Sequence, residues 1–212
     1  QLKMLQEYLS NEGIPFEYLH FPRLEVKPWG DMVSRFLRGE FGENDQVNPY
    51  LVAMIYALDR NDAKEMISGW LQSGKMVILD RYAHSNIAYQ CAKLTSPKEK
   101  EELKKWILDL EFRYHGIPEP DLNIFLDVPS SFVERKLQGQ RKGDDRNYLQ
   151  GGKDIHESDM AFQHKVREVY HTLAESDSRM KLISCAGPDN AMLDPGSIFD
   201  KILTLLKEKQ IL

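Results

Sequence analysis

The 212-residue sequence is poor in cysteine, in long apolar runs and in excess positive charge. Its two cysteines, Cys91 and Cys185, lack CxxC or zinc-ligand spacing, which argues against a disulfide framework and predicts two reduced, partly buried thiols. No apolar run is long enough to span a bilayer. The formal net charge of -5 argues against a broad nucleic-acid-binding surface. We therefore expect a cytoplasmic protein that binds neither membranes nor nucleic acids.

The sequence also lacks a convincing phosphate-binding loop. Residues 69–75 have the spacing G-x-x-x-x-G-K, but Met76 stands where a serine or threonine would bind magnesium. A working loop of this kind follows a strand and opens a helix, whereas residues 69–75 close a helix and precede a strand. Gly74 is explained more simply as the residue that ends the helix.

Apolar spacing predicts helices that alternate with short strands. Buried parallel strands are indicated by apolar runs at 16–21, 76–81, 122–128 and, more weakly, 181–185. Helices are predicted at 2–9, 48–72, 98–114, 129–140, 158–175 and 196–208. The order predicts one α/β domain over residues 1–212, with a parallel sheet and helices on both faces.

The strongest chemical signal is Asp80-Arg81-Tyr82, at the carboxyl end of a predicted buried strand. Open α/β sheets bind their ligands at this edge. The Asp80 carboxylate could hold magnesium through its water shell, and the Arg81 guanidinium could bind phosphate oxygens with two nitrogens. A structural ion pair between Asp80 and Arg81 is the alternative.

The segment that follows resembles the thymidylate kinase family. The family pattern D-R-[YH], then a serine, then A-[YF]-Q, is matched by residues 80–90 (DRYAHSNIAYQ). Phe21-Pro22-Arg23 is similar to the family's F-P-x-R segment, and residues 56–60 (YALDR) are similar to its F-x-x-D-R helix. Residues 126–129 and 154–157 resemble its fourth strand and the end of its lid, so the similarity covers nearly the whole chain.

This resemblance implies a P-loop kinase fold of three layers, with a parallel five-stranded sheet in the order 2-3-1-4-5 and helices on both faces. It implies transfer of the ATP γ-phosphoryl group to dTMP, giving dTDP and ADP in dTTP biosynthesis, with Mg²⁺ as the metal. The helices around 48–72 and 98–114 would form a homodimer.

The resemblance also implies roles for individual residues. Tyr56 would stack on thymine, Arg60 would reach a base carbonyl, and Arg23 and Arg81 would hold the acceptor phosphate. The base pocket would be lined by Ser85, Asn86, Tyr89 and Gln90. Asp80 and Arg81 are the candidate catalytic residues on this side.

Residues 139–157 are the candidate lid, a glycine-containing segment in which basic and acidic residues alternate. Its Arg141 and Arg146 are candidate catalytic residues, because cations that flank a transferring phosphoryl group neutralise its charge. Arg135 would lie against adenine. His156 and Glu157 would contact substrate, and the family often has tyrosine where His156 stands.

In this family a first strand and a phosphate loop precede a helix whose opening residues resemble Gln1-Leu2-Lys3-Met4-Leu5. We therefore expect an upstream segment of about 10 to 20 residues, enough for a strand and its loop. That strand would lie between strands 76–81 and 122–128.

Two other functions remain open. A deoxynucleoside kinase has a similar fold and a D-R motif, but it needs a carboxylate base after its second strand, where this sequence has Phe21-Pro22-Arg23. A nucleotide-binding protein without catalysis is the second alternative.

Overall fold

A computed structural model describes residues 1–138, 149 and 159–212, and the side chains of all of these except 135–138. Four strands lie within this part of the chain, and they form two separate parallel pairs. β1 (Phe16–His20) pairs with β2 (Met76–Asp80), with Phe16 opposite Met76 and His20 opposite Asp80. β3 (Asn123–Asp127) pairs with β4 (Met180–Ser184), and Asp127 lies opposite Ser184.

These two pairs correspond to strands 2-3 and strands 4-5 of the predicted order 2-3-1-4-5. No described residue forms a strand between β2 and β3. The facing sides of β2 and β3 instead line a cleft of about 1090 Å³, which we call the inter-strand cleft.

The helices of the described chain surround the strand pairs. They are α1 (Leu2–Asn11), α2 (Trp29–Leu37), α3 (Pro49–Asp62), α4 (Lys64–Gln72), α5 (Ala83–Cys91), α6 (Pro97–Leu108), a π-helix (Asp109–His115), α7 (Ser130–Gln138), α8 (Met160–Ser176) and α9 (Pro195–Glu208). None of these helices is both long enough and apolar enough to cross a membrane.

The single helix expected over 48–72 is wrong at Ala63, where α3 ends and α4 begins. The Ala63 amide donates to the Arg60 carbonyl at 3.1 Å, a bond to the third preceding residue that tightens the turn. Ala63 and Ile67, both 1% exposed, then pack beneath the first strand pair against Phe21. The helix expected over 98–114 also changes form, because its last part is the π-helix.

The start of α3 agrees with its sequence. Asn48 Oδ1 accepts a hydrogen bond from the Tyr50 amide at 2.9 Å, and Pro49 occupies the first helical position. Such a cap contributes about 1 kcal/mol, and it sets where the face of α3 that carries Tyr56 and Arg60 begins.

The two strand pairs have separate apolar cores joined by helices. A cluster around Phe21 and Ile67 covers the first pair, and a cluster of Ile183, Cys185 and α9 residues covers the second. The largest cluster contains residues of α3, α5, α6 and α8 together with Met180 of β4. This helical layer therefore connects the two halves. The cysteines are free, and both are buried more completely than expected. Burial raises the pKa of Cys91 to about 12.

Gly30 in α2 allows a close approach of backbone to backbone. A Cβ atom at this position would lie 1.8 Å from the carbonyl oxygen of Arg23, which is closer than any real contact. Gly69 in α4 is the opposite case, because a Cβ there would have no heavy atom within 4 Å apart from its chain neighbours and the backbone of its own helix.

We expect Gly30→Ala to lower the free energy of unfolding by at least about 2 kcal/mol, because the Arg23 segment would have to move. The matched control Gly69→Ala should raise it by about 0.5 to 1 kcal/mol, because alanine is the better residue in a helix interior. Urea denaturation of both variants measures the effect. Equal changes of the same sign would contradict the close approach at Gly30.

Lys93 follows α5 and has a buried amine. Its Nζ has no hydrogen-bond partner in the described structure and lies 4.8 Å from the centroid of the Phe36 ring. Burial lowers the pKa of Lys93 to about 8, although the negative charge of Asp45 acts to raise it. The folded state therefore disfavours the charged amine.

We expect Lys93→Met to raise the free energy of unfolding at pH 7 by about 1 to 2 kcal/mol, because the apolar stem stays and the buried charge is removed. The pKa is lowered in the folded state, so the cost of Lys93 is full below pH about 8. That cost disappears as the pH rises toward the unfolded-state value of about 10.4.

Urea denaturation at pH 7 and at pH 9.5 should therefore show a stability gain that shrinks at the higher pH. Lys98→Met is the control, because the Lys98 side chain is 86% exposed. A gain for Lys93→Met that is the same at both pH values would contradict the lowered pKa.

Candidate functional site

Asp80 ends β2 and points its carboxylate toward β1. Its Oδ2 accepts a hydrogen bond from the Tyr18 hydroxyl at 3.3 Å and lies 2.9 Å from Nδ1 of His20. Burial raises the pKa of Asp80, but the hydrogen bond and charge of His20, with Arg81 nearby, outweigh it and leave the pKa below its usual value. Asp80 is therefore a carboxylate at neutral pH, at the sheet edge where ligands bind.

Arg81 follows directly and has a left-handed backbone, with φ at 66°. Its guanidinium carbon lies 5.1 Å from the centroid of the Tyr89 ring. Arg81 is exposed, and its pKa is raised most strongly by Tyr89 and further by Tyr170 and Tyr56. Among the described residues, the Asp80 carboxylate pairs with His20 and accepts a hydrogen bond from Tyr18. It does not form the alternative ion pair with Arg81.

A narrow cleft, which we call the acceptor cleft, runs between α3 and α5 beside Arg81. It has about 290 Å³ of empty space, of which about 20 Å³ could hold the centre of a water molecule. Its lining residues are Phe21, Pro22, Tyr56, Arg60, Arg81, Ser85, Asn86, Tyr89 and Gln90. The structure thus brings together every predicted substrate-binding residue of α3 and α5, but a bound ring would have to widen the cleft.

Two buried amides line the acceptor cleft with unused hydrogen-bonding groups. Gln90 is 0% exposed, and neither its Oε1 nor its Nε2 has a partner in the described structure. Asn86 is 3% exposed, and its Oδ1 has no partner there either. Each such group costs about 1 to 3 kcal/mol when it is left unpaired. Polar atoms in this state need a partner, such as a water molecule, an ion or a ligand.

Arg60 is held more tightly than the sequence suggested. Its Nε and Nη2 donate to the two carboxylate oxygens of Glu111, at 2.5 and 2.6 Å, and both side chains are almost fully buried. Glu111 lies in the π-helix and also accepts from Asn86 Nδ2 at 3.0 Å.

Sequence reasoning did not identify Glu111. One signal could have found it: Leu103, Ile107 and Glu111 follow one another at a spacing of four, so an acid continues an apolar stripe. Leu103, Ile107 and Glu111 are all 0% exposed.

Arg23 lies outside the residues that line the acceptor cleft. Its Nε donates to Asp59 Oδ1 at 2.9 Å, and its Nη2 donates to Asp62 Oδ2 at 2.7 Å. Two carboxylates of α3 therefore bind the guanidinium that we expected to face a phosphate group. The same contacts hold the segment after β1 against α3, together with a hydrogen bond that the Arg23 backbone N–H donates to Asp59 Oδ2.

Tyr170 of α8 is a further residue that the sequence did not single out. Its hydroxyl and the Ser85 hydroxyl are 2.8 Å apart, and its ring stacks on Phe125 with centroids 4.1 Å apart. Burial raises the pKa of Tyr170 to about 12, so it stays a neutral phenol. Tyr170 thus fixes Ser85 from the side of the second strand pair.

The predicted lid residues lie in a part of the chain outside the described residues. Arg141, Arg146, His156 and Glu157 lie outside the described residues, as does nearly all of the candidate lid at 139–157. Arg135 is part of α7, and its side chain is not described. Within the described residues there is no group of three or more histidine, cysteine, aspartate or glutamate residues that could hold a metal ion.

Comparisons with known proteins agree with this geometry. The sequence model of the thymidylate kinase family matches residues 1–193. Thymidylate kinase from Mycobacterium tuberculosis is 31% identical over 156 residues, which cover 74% of this chain and 70% of the relative. A probable thymidylate kinase from Thermococcus kodakarensis is 29% identical over 214 residues, with 98% and 90% covered.

A solved structure of thymidylate kinase from Candida albicans has the same fold. It superposes with a TM-score of 0.66 at 20% identity and covers 98% of this chain and 87% of that one. This likeness supports the predicted P-loop kinase fold, of which the two strand pairs are part. The family match over residues 1–193 is the broader finding. The chain therefore belongs to the thymidylate kinase family.

Proposed function

We propose that this protein is an enzyme that transfers the γ-phosphoryl group of ATP to dTMP, giving dTDP and ADP. Family membership supports the reaction class. The observation that carries the proposal is the acceptor cleft, where unpaired amides, an aromatic side chain and a fixed arginine lie next to Asp80 and Arg81. A nucleoside monophosphate needs such separate contacts for its base, its sugar and its phosphate.

On the acceptor side we assign recognition of the base to α3 and α5. Tyr56 would stack on thymine, Arg60 would donate to a ring carbonyl, and the amides of Asn86 and Gln90 would bond to the ring edge. Ser85 and Tyr89 would complete the wall. This assignment is supported by the unpaired atoms of both amides, because a bound ring edge would satisfy them.

Arg81 is our first choice for the acceptor phosphate, because a permanently charged guanidinium can bind two phosphate oxygens. Its accessible side chain lines both the inter-strand cleft and the acceptor cleft. Arg23 would join it only after releasing Asp62, whose side chain is 42% exposed.

Asp80 fits a role toward magnesium that is mediated by water. Magnesium in kinases uses one or two carboxylates together with substrate phosphates, so a single ionised carboxylate beside the cleft is sufficient. When bound, the ion would neutralise charge on the phosphate oxygens. We assign further neutralising charges to Arg141 and Arg146, contact with adenine to Arg135, and contact with substrate to His156 and Glu157.

We also propose that a fifth strand carrying the phosphate-binding loop lies between β2 and β3. The support is the inter-strand cleft, since backbone groups on two facing strand edges need partners. Such a strand would deliver the ATP phosphates to the side of Asp80. The intact mass of the purified protein tests this proposal, because a further strand and loop would make it larger than the mass of residues 1–212.

Homodimer formation is a further proposal. Leu51 and Met54 of α3 are 55% and 39% exposed, which is a large exposure for apolar side chains three residues apart on one helix. A second copy could cover this face without closing the acceptor cleft.

The two free thiols are consistent with a reducing, cytoplasmic location.

We expect the full-length protein to phosphorylate dTMP with ATP in a coupled assay for ADP, and to turn over thymidine and UMP far more slowly. Thymidine tests the deoxynucleoside kinase alternative, because that enzyme phosphorylates a sugar hydroxyl instead of a phosphate. Good turnover of thymidine or UMP with none of dTMP would overturn the proposed substrate. The absence of any turnover would favour the non-catalytic alternative.

Gln90→Leu should separate stability from activity. The change removes two buried polar atoms that have no partner in the described structure, so the ligand-free protein should gain about 1 kcal/mol or more in free energy of unfolding. The same change should lower kcat/KM for dTMP at least about tenfold, because a contact with the base is lost.

Thermal unfolding without ligand and the coupled assay together measure this prediction. The control is Gln72→Leu on the exposed end of α4, which should change neither quantity appreciably. A Gln90→Leu variant with full activity would show that Gln90 is a packing residue.

A further inference from the structure

Glu111 is a fully buried acid whose partners face the acceptor cleft. It is 0% exposed and is not among the residues that line the cleft. Its carboxylate instead bonds to Arg60 and Asn86, and both of these residues do line it. Glu111 therefore acts on the cleft wall from behind, through two side chains that belong to two different helices.

The amide of Asn86 can have only one orientation in this setting. Its Nδ2 donates to the Ala53 carbonyl and to Glu111 Oε1, both at 3.0 Å. A reversed amide would place its oxygen against two acceptors, neither of which has a hydrogen to donate. The Asn86 Oδ1 is therefore fixed as the acceptor, and it is the amide atom without a partner in the described structure.

Glu111 also determines which nitrogen of Arg60 remains for a ligand. Two of the three guanidinium nitrogens, Nε and Nη2, bond to the Glu111 carboxylate. The third, Nη1, remains as a permanent donor, because arginine does not lose its proton in proteins. The wall of the acceptor cleft therefore presents a fixed donor from α3 and a fixed acceptor from α5.

We infer that Glu111 is a positioning residue that sets the hydrogen-bond polarity with which the acceptor cleft recognises a pyrimidine base. This inference rests on the proposed function. A ring that offers a carbonyl oxygen beside an N–H, as thymine and uracil do, matches the donor of Arg60 and the acceptor of Asn86. Cytosine offers the opposite pair, an amino group beside an unprotonated ring nitrogen, and so meets donor with donor and acceptor with acceptor.

The test is the variant Glu111→Gln, which has nearly the same shape. Glu111 Oε1 accepts from both Arg60 Nη2 and Asn86 Nδ2, and Oε2 accepts from Arg60 Nε. In either orientation of the glutamine amide, its NH₂ therefore faces at least one Arg60 nitrogen, which is also a donor. Arg60 can resolve this conflict only by moving its guanidinium, so the donor that it presents to the cleft is no longer fixed. We expect the ratio of kcat/KM for dTMP to that for dCMP to fall at least about tenfold, the equivalent of one hydrogen bond.

The ratio is the decisive readout, because both substrates are measured on one preparation and the fraction of folded protein cancels. The loss for dTMP should appear mainly in KM. Glu102→Gln is the matched control: it removes the same charge from an exposed pair with Lys98 on α6, and it should leave the ratio unchanged.

A double-variant cycle shows whether Glu111 acts through its neighbour. In an Arg60→Met background, most of the effect of Glu111→Gln on the ratio should disappear, because the guanidinium that it holds is gone. An undiminished effect in that background would overturn this inference. An unchanged ratio in Glu111→Gln alone would overturn it as well.

Should Glu111→Gln fail to fold, Glu111→Asp is the second variant. It keeps the negative charge but shortens the reach to both Arg60 and Asn86, so the ratio should still fall, by a smaller factor. An unchanged ratio would count against the inference here too. The unsubstituted protein separates the two hypotheses: no turnover of dTMP by it refutes the proposed function, whereas good turnover with unchanged ratios in the variants refutes only the role of Glu111.

Discussion

The ion pair between Arg60 and Glu111 is the interaction on which the acceptor cleft depends. It joins α3 to the π-helix through two short hydrogen bonds and, through Asn86, fixes α5 against both. Removing one partner of such a buried pair typically costs about 3 to 5 kcal/mol, because the remaining charge has no compensation. An apolar replacement could be as stable, so the pair is better understood as a device that fixes orientation than as a source of stability.

Much of the fold follows from simple sequence patterns. The apolar runs at 76–81 and 122–128 are strands within about one residue, because buried parallel strands need continuous apolar segments. The helical stripe with Tyr56 and Arg60 and the segment after Asp80 do meet in one cleft. Their spacing alone could place each group on one face of a helix. Only the family resemblance indicated that the two helices face each other.

Other features depend on tertiary contacts that spacing does not encode. The break at Ala63 arises because the chain must turn to bury Ile67 under the first strand pair. Arg23 is bound by acids 36 and 39 positions away, so its sequence motif could not reveal that its guanidinium is already paired. Glu111 escaped notice because an acid near a helix end usually lies in solvent, and the π-helix that buries it has no strong sequence signature.

The left-handed backbone of Arg81 has a consequence for how this site can change. Glycine would adopt that conformation without strain, whereas a side chain there costs roughly 1 kcal/mol or more. The position therefore cannot be optimal for folding and for holding a guanidinium over Tyr89 at once. Replacement of Arg81 by glycine would remove this backbone strain together with the guanidinium over Tyr89, so stability and side-chain chemistry are in direct competition at this one position.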